Sequence, residues 1–247
     1  MTPEAAQAVQ EIEVYGFTVL EAVLTSADVA TLRETLIRCA REFGEEHKHG
    51  GSARHVSNLV TLDPVFLPII DHSRTLPILE HFLGRSLILG SLNSRIVRPG
   101  DGDQQIHGDI PAEMLNPASP VMMNTVWMLD DFTVENGATR IIPGTHRSGH
   151  ATPPEGLPLS YIHHATAPAG SVLIFNGQCW HGGGENRTSR DRHALFSHYR
   201  KSMLLFQLDP HDGFPEKWFD TLTPRQKDLM RMQRGVGSAH AADVHFR

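Results

Sequence analysis

The chain is poor in cysteine, with Cys39 and Cys179 alone among 247 residues. That excludes a disulfide scaffold and fits a reducing, cytoplasmic compartment. Basic blocks are missing too: 22 Lys and Arg stand against 28 Asp and Glu, for a net charge of −6. A chain without a basic patch is a poor candidate for nucleic-acid binding. No apolar run approaches the ~18 residues that a membrane span needs. The opening Met1-Thr2-Pro3-Glu4 is acidic where a secretory signal would be basic and then apolar. Aromatic residues make up 7% of the chain. With no basic patch beside it, that low share points to a small-molecule partner over nucleic acid or a large protein. No membrane partner is expected, and the expected state is a monomer or homodimer. Repeats and low-complexity tracts are absent. What the chain has in quantity is histidine, sixteen in all.

Hydrophobic residues form 40% of the chain, enough for one sizeable core. The expected arrangement is a single domain over 1–247, with a β core at about 87–208 and helical flanks at about 1–85 and 210–247. Thr2 to Tyr15 reads as a helix and Gly16–Leu20 as a strand. Thr25 reads as the N-cap of a second helix, with Asp28 at its third position completing a capping box. Val29, Leu32, Leu36, Ala40 and Phe43 then recur at three-to-four-residue spacing until Gly44. Glu45 to Ser57 is polar and reads as a loop in which His47, His49 and His55 are solvated. Helices are expected at Pro64–His72 and Leu76–Leu83, the second closed by Gly84. Strands are expected at Leu87–Val97, Val121–Leu129, Ala138–Ile142, Ser171–Phe175 and His193–Tyr199, with Ser202–Leu208 as a further candidate. Pro99 to Asp103 is a tight turn, which accounts for Asp101 and Asp103 without a metal. Ile110–Pro120 carries three prolines and reads as a loop walling a cavity. Arg147 to Pro158 is long for a structureless loop and reads as a lid. Helices around Phe214–Phe219 and Pro224–Gln233 close the chain. Short strands between glycine and proline turns, with helices at either end, give a mainly β fold with a double-stranded β-helix core (jelly-roll, cupin-like).

The stretch Gln104-Gln105-Ile106-His107-Gly108-Asp109 is the most informative in the chain. On a strand, alternate side chains share a face, so His107 and Asp109 emerge together. With a third ligand from elsewhere, such as His181 in Gln178-Cys179-Trp180-His181, they make the two-histidine, one-carboxylate facial triad of non-haem Fe(II) sites. The same donors can hold Zn(II), which leaves open a cupin-like isomerase or hydrolase. A non-catalytic ligand-binding jelly-roll is the other alternative.

The blocks around these residues resemble the phytanoyl-CoA dioxygenase family of Fe(II)- and 2-oxoglutarate-dependent oxygenases. The resemblance runs from about Phe17 to Tyr199. It is carried by Gln105-x-His107-x-Asp109, Trp127–Asp131, Glu135–His146 with Pro143-Gly144-Thr145-His146, Gly170–Asn176, His181–Gly184, Asn186 and Arg192. It implies a jelly-roll, with Fe(II) on His107, Asp109 and His181 and with 2-oxoglutarate and O2 as co-substrates. It also implies oxidation of an unactivated C–H bond of a small molecule, most simply hydroxylation, with release of succinate and CO2. A role in secondary metabolism would fit such chemistry. Related halogenases lack the carboxylate ligand, so Asp109 argues against halogenation. The far carboxylate of 2-oxoglutarate calls for a planar, bidentate cation. Arg192 follows His181 at the family's spacing, while Arg187 and Arg190 fall in a polar turn. Gln105, taken to share the face of His107 and Asp109, and Thr139 are the further expected contacts to 2-oxoglutarate. Asn58 matches a position that lines the substrate pocket in some members. Arg192, Gln105 and Thr139 separate this reading from the isomerase or hydrolase, which needs no dicarboxylate anchor.

Overall fold

The first two helices are capped as their sequences dictate. In the computed structural model, which describes residues 1–46 and 54–232, α1 (Pro3–Tyr15) starts from Thr2 and stops where Gly16 turns left-handed. α2 (Ser26–Phe43) opens on a capping box. Thr25 Oγ1 accepts the Asp28 N–H at 3.2 Å, and the Asp28 carboxylate accepts the Thr25 N–H at 3.1 Å. These reciprocal bonds satisfy amide groups that a helix start otherwise leaves bare. α2 buries Leu32, Leu36, Cys39 and Ala40 along one stripe.

After β1 (Phe17–Leu20), the strands run β2 (Glu45–Glu46), β3 (Arg54–Val56), β4 (Ile88–Val97), β5 (Met122–Met128), β6 (Arg140–Ile141), β7 (His163–His164), β8 (Val172–Asn176), β9 (His181–Gly182) and β10 (Arg192–Arg200). They form a seven-stranded sheet, in order β1-β8-β5-β10-β4-β3-β2, and a three-stranded sheet, β7-β6-β9. Every pairing is antiparallel. The architecture is the jelly-roll expected, mainly β with helices before and after it. The helices α3 (Leu67–Ile70), α4 (Leu76–Leu83) and α5 (Pro224–Leu229) join α1 and α2 as the flank.

The two faces of the large sheet differ because side chains alternate along each strand. One face carries Leu92, Ile96, Met123, Trp127, Leu195 and Tyr199, all buried in one cluster with Leu32, Leu36, Ile78 and Leu79 of the helices. Each such Leu, Ile or Met side chain contributes roughly 1.5–3 kcal/mol when fully withdrawn from water. The polar atoms on this face are paired: the Tyr199 hydroxyl donates to the Ile70 carbonyl, and Trp127 Nε1 to Thr125 Oγ1, both at 3.0 Å. The opposite face carries Asn93 and Arg95 of β4, Asn124 and Val126 of β5, and the row Arg192, Ala194, Phe196 and His198 of β10, all lining one cavity.

Several expectations need correction. Arg54–Val56 is a strand hydrogen-bonded to β4 and not part of a loop. His55 therefore lines the cavity, whereas His47 and His49 lie outside the described residues. Pro64–Phe66 is a 3-10 turn leading into α3 and not one continuous helix with it. Ser202–Leu208 makes no strand; it folds back so that the Gln207 and Leu208 N–H groups both donate to the Gly90 carbonyl. No residue of Ile110–Pro120 lines the cavity. Near the C-terminus, Glu216–Thr221 is a 3-10 helix and α5 ends at Leu229. Of the rest of that expected helix, 230–232 is not helical and Gln233 lies outside the described residues.

Candidate metal and co-substrate site

His107 and Asp109 do not sit on a continuous strand. His107 makes an isolated bridge to His181, with His107 N–H to His181 carbonyl at 2.9 Å and the reverse bond at 2.8 Å. The Gly108 N–H then donates to the Ala151 carbonyl and the Asp109 N–H to the Gly177 carbonyl, both at 2.8 Å. Two other chain segments, Gly177–His181 and the one that carries Ala151, thus hold three successive amides, and the alternation of side chains survives without a ladder. Gly108 is demanded by crowding: a Cβ there would lie 2.9 Å from the Ala151 oxygen and 3.3 Å from the Gln178 oxygen.

The result is convergence. Ligand atoms of His107, Asp109 and His181 lie within 4.8 Å of one another. His107 Nε2 is 3.5 Å and His181 Nε2 3.4 Å from the two carboxylate oxygens of Asp109. Each ring is oriented the same way. His107 Nδ1 lies 2.8 Å from the Gln105 carbonyl, and His181 Nδ1 lies 2.9 Å from the Cys179 carbonyl. A carbonyl only accepts, so each neutral ring carries its proton on Nδ1 and turns the Nε2 lone pair inward. Two lone pairs and a carboxylate facing one another at this range repel unless a cation lies between them. The donor set fits a divalent ion, two neutral imidazoles and one carboxylate leaving an open coordination face.

Electrostatics agree. Burial pushes the Asp109 carboxyl up, but His181, His107 and His198 more than offset it and hold the group well below the usual carboxylate range. Burial lowers His181 and keeps it neutral. His107 is raised, chiefly by its hydrogen bond to Asp109.

The cavity beside the triad has a volume of about 500 Å³, within the range of small-molecule sites. Arg192 is buried there, its guanidinium carbon 4.2 Å from the centroid of the Phe132 ring. Its Nε has no hydrogen-bond partner, and burial together with Arg95 pushes its pKa down to about 9. By contrast, Arg187 is half-exposed and paired with Glu135 at 3.1 Å, and Arg190 is exposed. A buried guanidinium with an unpaired nitrogen, in the same cavity as a metal-type donor set, fits an anionic ligand such as the far carboxylate of 2-oxoglutarate. Thr139 is buried and lines the same cavity.

Two expected residues stand elsewhere. The Gln105 side chain is exposed and does not line the cavity. No strand runs back from His107, so alternation does not extend to it, and its contribution is the backbone carbonyl that orients His107. Gln104 lines the cavity instead, its Oε1 accepting the Gly183 N–H at 3.0 Å. Asn58 does not line the cavity either. It is a left-handed turn residue at φ 51°, its N–H donating to Asn93 Oδ1 at 2.9 Å and its side-chain amide to the Asp209 carbonyl at 3.2 Å. It supports Asn93, which does line the cavity. The expected lid segment meets the back of the site through Ala151 and through the His150 carbonyl, which accepts from Trp180 Nε1 at 2.8 Å.

Arg95, Asn124 and His198 are cavity residues that the motif reading passed over. A signal was present for Arg95: Ser91-x-Asn93-x-Arg95 is an alternation that places polar groups on one face of the strand.

A family profile described as phytanoyl-CoA dioxygenase matches residues 12–194. The chain belongs to that family, the phytanoyl-CoA dioxygenases. The family relatives include the dioxygenase af480 of Aspergillus fumigatus, 28% identical over 194 residues, which cover 76% of this chain and 61% of that protein. The iron/alpha-ketoglutarate-dependent dioxygenase ausO of Aspergillus calidoustus is 31% identical over 192 residues, covering 72% of this chain and 63% of that one. The chain therefore spans about three-fifths of the length of these two relatives. Among solved structures, HygX from Streptomyces hygroscopicus, with nickel and 2-oxoglutarate bound, superposes with a TM-score of 0.71 at 17% identity, covering 86% of this chain and 93% of HygX. The alpha-ketoglutarate-dependent epimerase SnoN from nogalamycin biosynthesis gives a TM-score of 0.67 at 19% identity, covering 80% of this chain and 83% of SnoN. At such identities these two likenesses speak for the jelly-roll fold that this phytanoyl-CoA dioxygenase family member shares. No helix among the described residues is long and apolar enough to cross a membrane.

Proposed function

We propose that the chain is an Fe(II)- and 2-oxoglutarate-dependent oxygenase that hydroxylates an unactivated C–H bond of a small polar molecule, releasing succinate and CO2. One observation carries the reading: Arg192, buried with an unpaired Nε, shares a cavity with the His107, Asp109 and His181 donor set. An isomerase or hydrolase has use for the metal but none for that cation.

Bound Fe(II) and 2-oxoglutarate supply the O2 activation and oxidising power, which no side chain of this protein can provide. The chain's own residues bind and orient. His107, Asp109 and His181 hold the ion, and the Gln105 and Cys179 carbonyls fix the two rings. Arg192 takes the far carboxylate of 2-oxoglutarate, with the Thr139 hydroxyl beside it. Gln104 takes the part expected of Gln105. His55, Ser57, Asn93 and Gln207 give the remaining cavity a polar lining, which suits a hydroxylated or amine-bearing substrate. Asn58 acts from behind Asn93. HygX has been solved with hygromycin B as well as nickel and 2-oxoglutarate, and SnoN is an epimerase. The first supports a small-molecule substrate, and the second shows that hydroxylation is not the one outcome this fold serves.

Anaerobic addition of Fe(II) and then 2-oxoglutarate tests the reading. A weak metal-to-ligand charge-transfer band should grow in, and Asp109→Ala should abolish it. A Zn(II)-like hydrolase or a non-catalytic module would give no such band. Succinate release across a small-molecule panel, with oxygen admitted, then identifies the substrate and product.

A further inference from the structure

Behind the metal ligands lies a directional chain of hydrogen bonds. Asp109 Oδ2 accepts from Asn124 Nδ2 at 2.6 Å, and Asn124 Oδ1 lies 2.8 Å from His198 Nδ1. Asn124 and His198 are cross-strand partners in the β5–β10 ladder, so backbone register holds them together. An ionised carboxylate can only accept, so the amide nitrogen of Asn124 must face Asp109 and its oxygen must face away. That oxygen also only accepts, so His198 carries its proton on Nδ1. Burial favours the neutral ring. His198 Nε2, left with a lone pair, is bonded to no described residue, and the ring lines the cavity.

We propose that Asn124, backed by His198, is the positioning residue for Asp109: it occupies Oδ2 and leaves the carboxylate to bind the metal through one oxygen. The consequence is a count of coordination positions. A carboxylate bound through both oxygens would occupy a fourth position of a six-coordinate ion. Bound through one, it leaves three open, the number that a chelating 2-oxo acid and a third ligand require. The inference rests on the metal-centre reading above.

Zn(II) affinity, read by competition with a chromophoric chelator, is the first measurement. Asn124→Leu should weaken binding by about 10–100-fold, the usual effect of losing an outer-shell partner. His198→Phe should weaken it by a smaller factor, because the Asn124 amide is then free to turn. His198→Gln keeps an N–H in reach of Asn124 Oδ1 and should restore affinity. The second measurement needs no variant: 15N NMR of the histidine-labelled, Zn(II)-loaded protein should show His198 protonated on Nδ1 and bare on Nε2. A proton on Nε2, or Asn124→Leu binding Zn(II) within about twofold of the unaltered protein, overturns the proposal. If His107→Ala binds Zn(II) as tightly as the unaltered protein, it is the metal-centre reading that fails.

Discussion

The two faces of the seven-stranded sheet are made by the same strands and do opposite work. On β10, His193, Leu195, Ser197 and Tyr199 look toward the helices, while Arg192, Ala194, Phe196 and His198 look into the cavity. On the helix side His193 is paired: its Nδ1 lies 2.7 Å from Asp130, which in turn meets Arg33 at 3.0 Å. On the cavity side Arg192 and Arg95 each keep a buried Nε without a partner. A buried polar group without a partner costs stability, and beside a metal-type donor set it fits a place where a ligand completes the structure. One sheet thus spends one register on cohesion and the other on recognition.

That contrast can be broken experimentally. The largest effect belongs to the cavity side: His107→Ala should abolish Fe(II) binding while the metal-free protein melts at nearly the unaltered temperature, as read by calorimetry with and without metal. Arg192→Met comes next. It should weaken 2-oxoglutarate binding on the order of a hundredfold or more, the scale of losing one partner of a buried charge pair, with Fe(II) affinity preserved in an anaerobic titration. The helix side should answer in the opposite sense. Leu195→Ala should cost about 2–5 kcal/mol in denaturant unfolding, the usual cost of a buried Leu truncation, and leave 2-oxoglutarate affinity unchanged. Farther from the sheet, Thr25→Ala removes the α2 cap and should cost ~1 kcal/mol with no effect on the site. If Leu195→Ala abolished ligand binding in protein that remained folded, the division between the faces would fail.

Acidity sharpens the same comparison. The hydrogen bond to Asp109 raises His107 in the metal-free protein. Its contribution to metal-free stability is therefore full below the unfolded value of about 6.5 and is lost as pH rises through the higher folded value. Metal needs the ring neutral, so ion and proton compete. Affinity for Fe(II) should fall as pH drops through that raised value, and binding should release up to about one proton per ion. Calorimetry in two buffers of different ionisation enthalpy reads the proton count.

Much of this was legible in the residues. Capping boxes and strand alternation are local, so Thr25, Asp28 and the bounds of β4, β5 and β10 could be read within a residue or two. The His107, Asp109 and His181 convergence and the spacing to Arg192 were legible as family grammar. Gln105 was misread because alternation was carried into a segment that makes one isolated bridge, His107 to His181, and no continuous strand. Arg54–Val56 was misread because its pairing with β4 is a long-range event that polar local composition does not announce. Asn124 and His198 carry no motif at all; only the cross-strand register joins them to Asp109.

The backbone bridge between His107 and His181 has a consequence for biogenesis. Two ligands 74 positions apart meet only when the second has left the ribosome and closed against the first, and β1 waits likewise for β8. A nascent chain therefore cannot present both histidines to one ion until His181 has emerged and closed against His107.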